Sequence, residues 1–568
     1  MKQFDRVRSS SSKPFWRQLL ARLLKLPPIE NGVVVHRDIA IPMSDGEILY
    51  ADHFAPKSDA TYPTILIRSP WGRSWGGAPF SLLYRYVAHR FAERGFHLLL
   101  QDTHKRPWRN SDHPMSLSHE VKDGRDTLDW LATQPWFNGE LGLWGASYLG
   151  YVQWAALAAE VPELKKVAVF PVTTATNWST VLHPDGIPAV DTLFRLQYLT
   201  GMPDGSIFKR IKHLNQQETA ITNATNQTPL ISAAHSLPIA DGVNFVKALE
   251  ECDVQSPFWQ AIDLSSTLMK SDAEVCLVAG WYDVFLREQL ADYQVLRGAG
   301  KQPNLTIGPW HHTDRALGDF VLPESLAWFE GHLREKTERL PTKPVRVFMM
   351  GCDEWRELDD WPPPTTSQHI YLCAEQKLST EPPGSQEEPD RYVYDPAAPT
   401  PTIGGAVLSP KAGRQDNREL EERKDILCYT SQVFDADLAI MGEPELVLYV
   451  RSTNEHTDFF GRLCDVYPDG RSLNVTDGLI RIKPPDIEPE ADGSLRITFR
   501  LWPTAYSFAQ GNCLRLQVAS GAHPRWNRNL GTGEEPLDGV EMASANQTVY
   551  HDEDRQSYLK LPVYRASN

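Results

Sequence analysis

Residues 140–160 read Glu-Leu-Gly-Leu-Trp-Gly-Ala-Ser-Tyr-Leu-Gly-Tyr-Val-Gln-Trp-Ala-Ala-Leu-Ala-Ala-Glu: an apolar run, a serine among small residues, then a helix-forming stretch. This order predicts a strand, a sharp turn and a helix, with Ser147 carried on the turn. Such a turn strains the serine backbone and brings strand and helix close together, so its neighbours must be small. Gly145 and Gly150 leave that room. The pattern is met in part, because Leu149 stands two residues after the serine and the second glycine comes one later.

Further along, an acid and a histidine follow in the order serine, acid, histidine. Asp283 comes after Val275-Cys276-Leu277-Val278-Ala279-Gly280-Trp281-Tyr282, and His312 after Asn304-Leu305-Thr306-Ile307-Gly308-Pro309-Trp310-His311. Each is placed where a buried strand ends, and side chains at the carboxyl ends of an open α/β sheet converge although the sequence separates them. Read singly, Asp283 is equally a strand-end turn residue. His311, His312 and Asp314 do not form a metal site in this reading. Neighbours in an extended segment point to opposite faces, and no third cluster of Cys or His stands elsewhere; no metal and no cofactor is expected.

Strand patterns occur at Val33 to Ile41, Glu47 to Phe54, Thr64 to Arg68, Phe96 to Gln101, Leu141 to Trp144, Lys166 to Phe170, Val275 to Ala279 and Asn304 to Ile307. Helical patterns at Glu120 to Thr133 and Tyr148 to Glu160 lie between them. The alternation predicts an α/β hydrolase: a mostly parallel sheet covered on both faces. It stops near Asn177 and resumes near Ala273, so residues 178–272 are expected to form a helical cap inserted over the strand ends. Short alternating strands such as Glu445 to Arg451, Leu495 to Leu501 and Asn512 to Ala519 follow a proline-rich passage and predict an all-β sandwich. The expected division is a basic extension over 1–32, hydrolase parts over 33–177 and 273–340, the cap between them, and the sandwich over 341–568.

These segments, with Pro344-Val345-Arg346-Val347-Phe348-Met349-Met350-Gly351 and Asp353-Glu354-Trp355-Arg356, resemble the family of cocaine esterase and X-Pro dipeptidyl-peptidases, the CocE/NonD-type α/β-hydrolases. The likeness spans nearly the whole chain after about residue 33. It implies a Ser147 nucleophile, an Asp283 acid and a His312 base, with His311 merely its neighbour. It also implies a capped hydrolase domain and a C-terminal jelly roll of the galactose-binding-like type, which does not itself imply sugar binding. The backbone N–H of Tyr148 is the expected first oxyanion donor. In the family the second is a tyrosine hydroxyl in a segment resembling Ile65 to Arg73, where this chain has Trp71; an indole N–H donates from a different distance and angle. The family's Arg-Gly after the next strand is also replaced, by His104-Lys105-Arg106-Pro107. Phe285 and Trp154 are the aromatics assigned to the substrate pocket. The segment Phe508 to Thr532, with Ala522-His523-Pro524-Arg525, looks like a family signature expected to pack on the hydrolase domain.

Composition sets the outer bounds. A chain of 568 residues exceeds what one core supports, and a net charge of −16 argues against a nucleic-acid partner. Seven scattered cysteines without a C-x-x-C pair favour a reducing, cytoplasmic setting over a disulfide framework. No apolar stretch reaches membrane-spanning length. The first thirty residues hold seven Lys or Arg against Asp5 and Glu30, and residues 14–26 form a basic amphipathic pattern ending at Pro27-Pro28. Docking on its own protein or a neighbouring subunit, as in a homo-oligomer, is preferred for it over membrane-surface contact; serines 9–12 read as a disordered tether.

The resulting expectation is a serine hydrolase acting on a small-molecule ester or amide through an acyl-enzyme. Related α-amino-acid ester hydrolases carry acidic residues directly after the catalytic Asp, whereas Val284 and Phe285 follow here, which favours an apolar or aromatic acyl group. The alternatives are an X-Pro dipeptidyl-peptidase or amide acylase, and, because of Trp71, a catalytically impaired relative that binds rather than cleaves.

Overall fold

The computed structural model describes residues 8–9 and 26–565, apart from 59, 74–78, 104–113, 160–163, 204–206, 239–244, 385, 485–486 and 536. The amphipathic pattern of residues 14–26, save the buried Leu26, and the His104–Pro107 segment therefore lie outside the described residues.

Among the described residues, eleven strands form one sheet: β1 (Arg8–Ser9), β2 (Val33–Pro42), β3 (Ile48–Pro56), β4 (Thr64–Ser69), β5 (His97–Asp102), β6 (Glu140–Ala146), β7 (Lys166–Val172), β8 (Glu274–Gly280), β9 (Asn304–Gly308), β10 (Val345–Met349) and β11 (Glu354–Leu358). Their order is β1-β2-β3-β5-β4-β6-β7-β8-β9-β10-β11. From β5 to β10 every pairing is parallel, and the outer strands are antiparallel. Buried parallel strands read as near-continuous apolar runs because both faces are covered, which is why Ile65, Leu66, Ile67 and Leu98, Leu99, Leu100 are all sequestered.

Helices α1 (Phe80–Glu93), α2 (Glu120–Ala132) and α3 (Tyr148–Ala158) connect the first half of this sheet. Between β7 and β8 lie only helices among the described residues: α4 (Ser179–Leu182), α5 (Val190–Thr200), α6 (Ile207–Thr225), α7 (Leu230–Ser236), α8 (Phe245–Glu250), α9 (Pro257–Gln260) and α10 (Ser265–Lys270). α11 (Leu286–Gly298) and α12 (Arg315–Arg334) complete the second half. A β-carbon on Gly142 would meet Phe329 of α12, and one on Gly145 would meet Leu149 of α3. Side chains three apart on a strand face opposite ways, so α3 and α12 cover opposite faces of the sheet.

The remaining strands, from Thr366–Cys373 to Tyr558–Val563, form a second, all-β unit. Two expectations need correction. The hydrolase sheet does not end at 340: β10 pairs in parallel with β9 and β11 pairs with β10, so the change of unit falls at the proline run Pro362-Pro363-Pro364, where ladder donors are lost. Ser9 is not part of a loose tether but pairs with Val34 as the sheet's edge. The 522–528 segment meets the hydrolase domain at its inserted cap. Asp191 N–H bonds to the Pro524 carbonyl, Asn527 N–H to the Pro188 carbonyl, and His523 to the Thr225 carbonyl. Ile187 of the cap lies in an apolar cluster with Phe460, Leu479 and Trp526.

Burial pushes the pKa values of His97, His183 and His523 down to about 4. In the unfolded chain these groups bind protons near pH 6.5, so between about 6.5 and 4 the unfolded state holds more protons. Stability is therefore expected to fall with pH across that window, by up to about 1.4 kcal/mol per histidine per pH unit. Urea midpoints measured at pH 7.5, 6 and 4.5 check this, with a shallower decline expected for His523→Asn. A midpoint that does not move would contradict it.

Candidate active site

Ser147 stands at the end of β6 with φ 57° and ψ −124°. A non-glycine residue in this region carries strain of order 1–3 kcal/mol and persists only where its surroundings hold it. Here Ser147 N–H bonds to the Val172 carbonyl at 2.9 Å, and Gly150 N–H returns to the Ser147 carbonyl at 2.8 Å. The small neighbours are required by contact: a β-carbon on Gly145 would lie 2.3 Å from Leu149 Cβ, and one on Gly150 2.4 Å from Thr174 Cγ2. Tyr148 is the first residue of α3, where a helical N–H has no carbonyl one turn earlier to bond.

The loops after β8 and β9 are tied together by Trp281 N–H to the Gly308 carbonyl at 2.9 Å and Tyr282 N–H to the Trp310 carbonyl at 3.0 Å. That stitching brings Asp283 Oδ2 to 2.9 Å from His312 Nδ1. Asp283 is 1% exposed, and its other oxygen accepts the Phe285 N–H at 2.9 Å. The carboxylate places the imidazole proton on Nδ1 and leaves Nε2 able to accept one. The neighbouring His311 instead has its ring 3.9 Å from where a β-carbon on Gly413 would lie, in the all-β unit, and burial lowers its pKa.

The Phe285 ring lies 5.4 Å from that of His312 and 5.1 Å from that of Trp178, which in turn lies 6.1 Å from Tyr151. An aromatic wall thus runs from the histidine to the cap entrance. Trp178 and Tyr151 belong to no motif, and only tertiary packing brings them here. Trp154 does not join them. It is wholly buried and lies seven residues into α3, about 10 Å along the helix from Ser147. The helix leads away from the strand-end face.

Behind Ser147 is a buried polar cluster that the motifs do not signal. The Tyr148 hydroxyl donates to Glu120, whose carboxylate lies 2.8 Å from Arg68 on β4, and Arg68 also bonds Gln101 at 3.0 Å. Arg68 and Glu120 are 2% and 1% exposed. Glu120→Ala removes the carboxylate at 2.8 Å and leaves the guanidinium with Asp123 at 3.7 Å, Gln101 and the residue-120 carbonyl. Removing one partner of such a pair costs about 3–5 kcal/mol. A denaturation midpoint displaced accordingly, and much less so for Glu120→Gln, is the expected result; equal midpoints for wild type and Glu120→Ala would refute it.

On the other side, Trp71 follows β4, half-buried, with its ring 5.2 Å from Phe80 and its backbone N–H on the Ser69 hydroxyl at 3.2 Å.

Comparison with known proteins finds two matching family models. The X-Pro dipeptidyl-peptidase (S15 family) model covers residues 45–314, and the X-Pro dipeptidyl-peptidase C-terminal non-catalytic domain covers residues 339–560. The cocaine esterase of Rhodococcus sp. (strain MB1 Bresler) is 28% identical over 94% of this chain and 100% of its own. Among solved structures, an aminopeptidase from the marine sediment archaeon Thaumarchaeota archaeon superposes with a TM-score of 0.73 at 18% identity, over 98% of this chain and 99% of that one. An α-amino acid ester hydrolase gives 0.69 at 21% identity over the same shares. These two likenesses establish the fold: an α/β-hydrolase domain followed by an all-β domain.

Proposed function

The chain belongs to the S15 X-Pro dipeptidyl-peptidase and cocaine esterase family of serine hydrolases, and from that premise we propose that it is a carboxylesterase acting on esters of apolar or aromatic acids. Ser147 attacks the acyl carbon as its proton passes to His312 Nε2. Asp283 holds the imidazole tautomer and stabilises the imidazolium. The tetrahedral oxyanion is received by the Tyr148 N–H and the Trp71 indole N–H. The alcohol leaves with the proton from His312. Water, activated by the same base, then attacks the acyl-enzyme and releases the acid.

The observation that carries the ester reading is the surroundings of the acid–base pair. Val284 and Phe285 follow Asp283, both buried, and the Phe285 ring lies tilted beside that of His312 with Trp178 edge-on behind it. That surface offers apolar contact to an acyl group and no carboxylate for a substrate amine in the two positions after the acid. The test is a panel of a phenyl or p-nitrophenyl ester of an aliphatic acid, a benzoate ester, a free α-amino-acid ester and an X-Pro anilide. kcat/KM for the simple acyl esters is expected to exceed that for the amino ester and the anilide by at least about tenfold, the scale set by about 1.4 kcal/mol of differential binding. A preference for the amino ester or the X-Pro anilide would reverse the assignment in favour of peptidase or amino-ester chemistry.

A further inference from the structure

We propose that Arg73 is a positioning residue for the oxyanion donor Trp71, acting by clamping the far end of the turn on which Trp71 is carried; this rests on the reading of Trp71 as a donor. The turn is a short arch. Its first foot is Ser69, the last residue of β4, which is in register with Asp102 of β5, accepts the Thr103 N–H at 3.1 Å and takes the Trp71 N–H on its hydroxyl. Gly72 reverses the chain at φ +80°, a conformation that glycine adopts without strain. The second foot is Arg73, and it is held by side chain rather than by ladder.

That side chain meets three carboxylates from three different strands. Nε donates to Asp102 Oδ2 at the end of β5 at 2.8 Å, Nη1 to Asp52 on β3, and Nη2 to Asp38 on β2 at 3.2 Å. Asp52 is 2% exposed, and the Arg73 side chain is 11% exposed. From α1, Arg85 adds a guanidinium 3.6 Å from Asp52 and a bond to the Arg73 carbonyl at 3.4 Å. Arg37 stands 3.8 Å from Asp52 on the outer side.

A guanidinium is suited to this because its planar fork addresses several acceptors at once, which an ammonium does not. Without it, Asp52 and Asp102 face each other across the turn with less compensating charge, and the arch beyond Gly72 is left with the weaker tie from Arg85 to the residue-73 carbonyl. An oxyanion donor acts only if it is already aimed, so slack of about an ångström in the arch weakens Trp71 in the transition state while leaving substrate binding in place.

The test is a double-mutant cycle on p-nitrophenyl butyrate with Arg73→Gln, Arg73→Lys, Trp71→Phe and the combinations. Trp71→Phe is expected to lower kcat about 10²-fold, at the lower end of the effect of losing one oxyanion donor. Arg73→Gln is expected to lower kcat about 10- to 100-fold with KM within threefold, Arg73→Lys less, and either to change kcat less than threefold once Trp71 is Phe. Equal losses from the Arg73 change in both backgrounds would overturn the proposal, because Arg73 would then act on general structure. Full kcat in Trp71→Phe alone would instead remove the donor reading, and the proposal with it. If Arg73→Gln does not fold, the Arg73→Lys arm decides by the same criterion.

Discussion

Replacing Ser147 with alanine is expected to leave a folded protein that no longer forms a fluorophosphonate adduct and whose esterase kcat is lower by about 10⁵- to 10⁶-fold. The magnitude follows from how such sites fail: nucleophile and base act as one unit, and loss of the serine alone removes nearly all that the constellation supplies. Folding should survive, because alanine keeps the single β-carbon that the turn at φ 57° already accommodates. Intact mass after labelling distinguishes the outcomes. One adduct on the wild type and none on Ser147→Ala is the expected pair. No adduct on either protein would favour a relative that binds acyl compounds without cleaving them, and Trp71→Tyr would then ask whether the missing part is the oxyanion donor.

Much of this was legible in the chain because it depends on local pattern. The parallel strands are apolar runs, and Ser147, Asp283 and His312 each follow one that carries a glycine at its end (Gly145, Gly280, Gly308), so the sheet and the strand-end placement could be read directly. The Asp283–His312 contact at 2.9 Å needed more, namely the stitching of two loops through Tyr282 and Trp310. What could not be read is set by long-range packing. Trp178 reaches Phe285 only because the cap folds back over the strand ends, and Arg73 gathers Asp38, Asp52 and Asp102 because β2, β3 and β5 are neighbours in an order the sequence does not announce. The hydrolase sheet runs past residue 340 because Val345, Val347 and Met349 of β10 alternate as buried residues on a strand held between β9 and β11.

The second large effect is expected from Asp283→Asn, about 10⁴-fold in kcat, with little change in fold, KM or melting behaviour. The reason lies in how the carboxylate is already committed. Its Oδ1 accepts the Phe285 N–H at 2.9 Å, and its Oδ2 faces His312 Nδ1 at 2.9 Å. An asparagine in this position keeps its carbonyl on the Phe285 N–H, since the alternative would set an amide NH₂ against a backbone donor. The amide NH₂ is then aimed at His312 Nδ1, which must become an acceptor, so the imidazole proton moves to Nε2. A ring protonated there cannot take the proton of Ser147, and the imidazolium loses its counter-charge as well. The shape of the site is preserved while its proton arrangement is inverted, which separates this variant from Asp283→Ala, where a buried cavity and an orphaned Phe285 N–H would confuse stability with chemistry. Fluorophosphonate labelling should slow in parallel with kcat, because both need the same deprotonated serine. A loss of less than tenfold, with labelling at the wild-type rate, would mean that Asp283 serves as a strand-end turn residue and that His312 is oriented by something else.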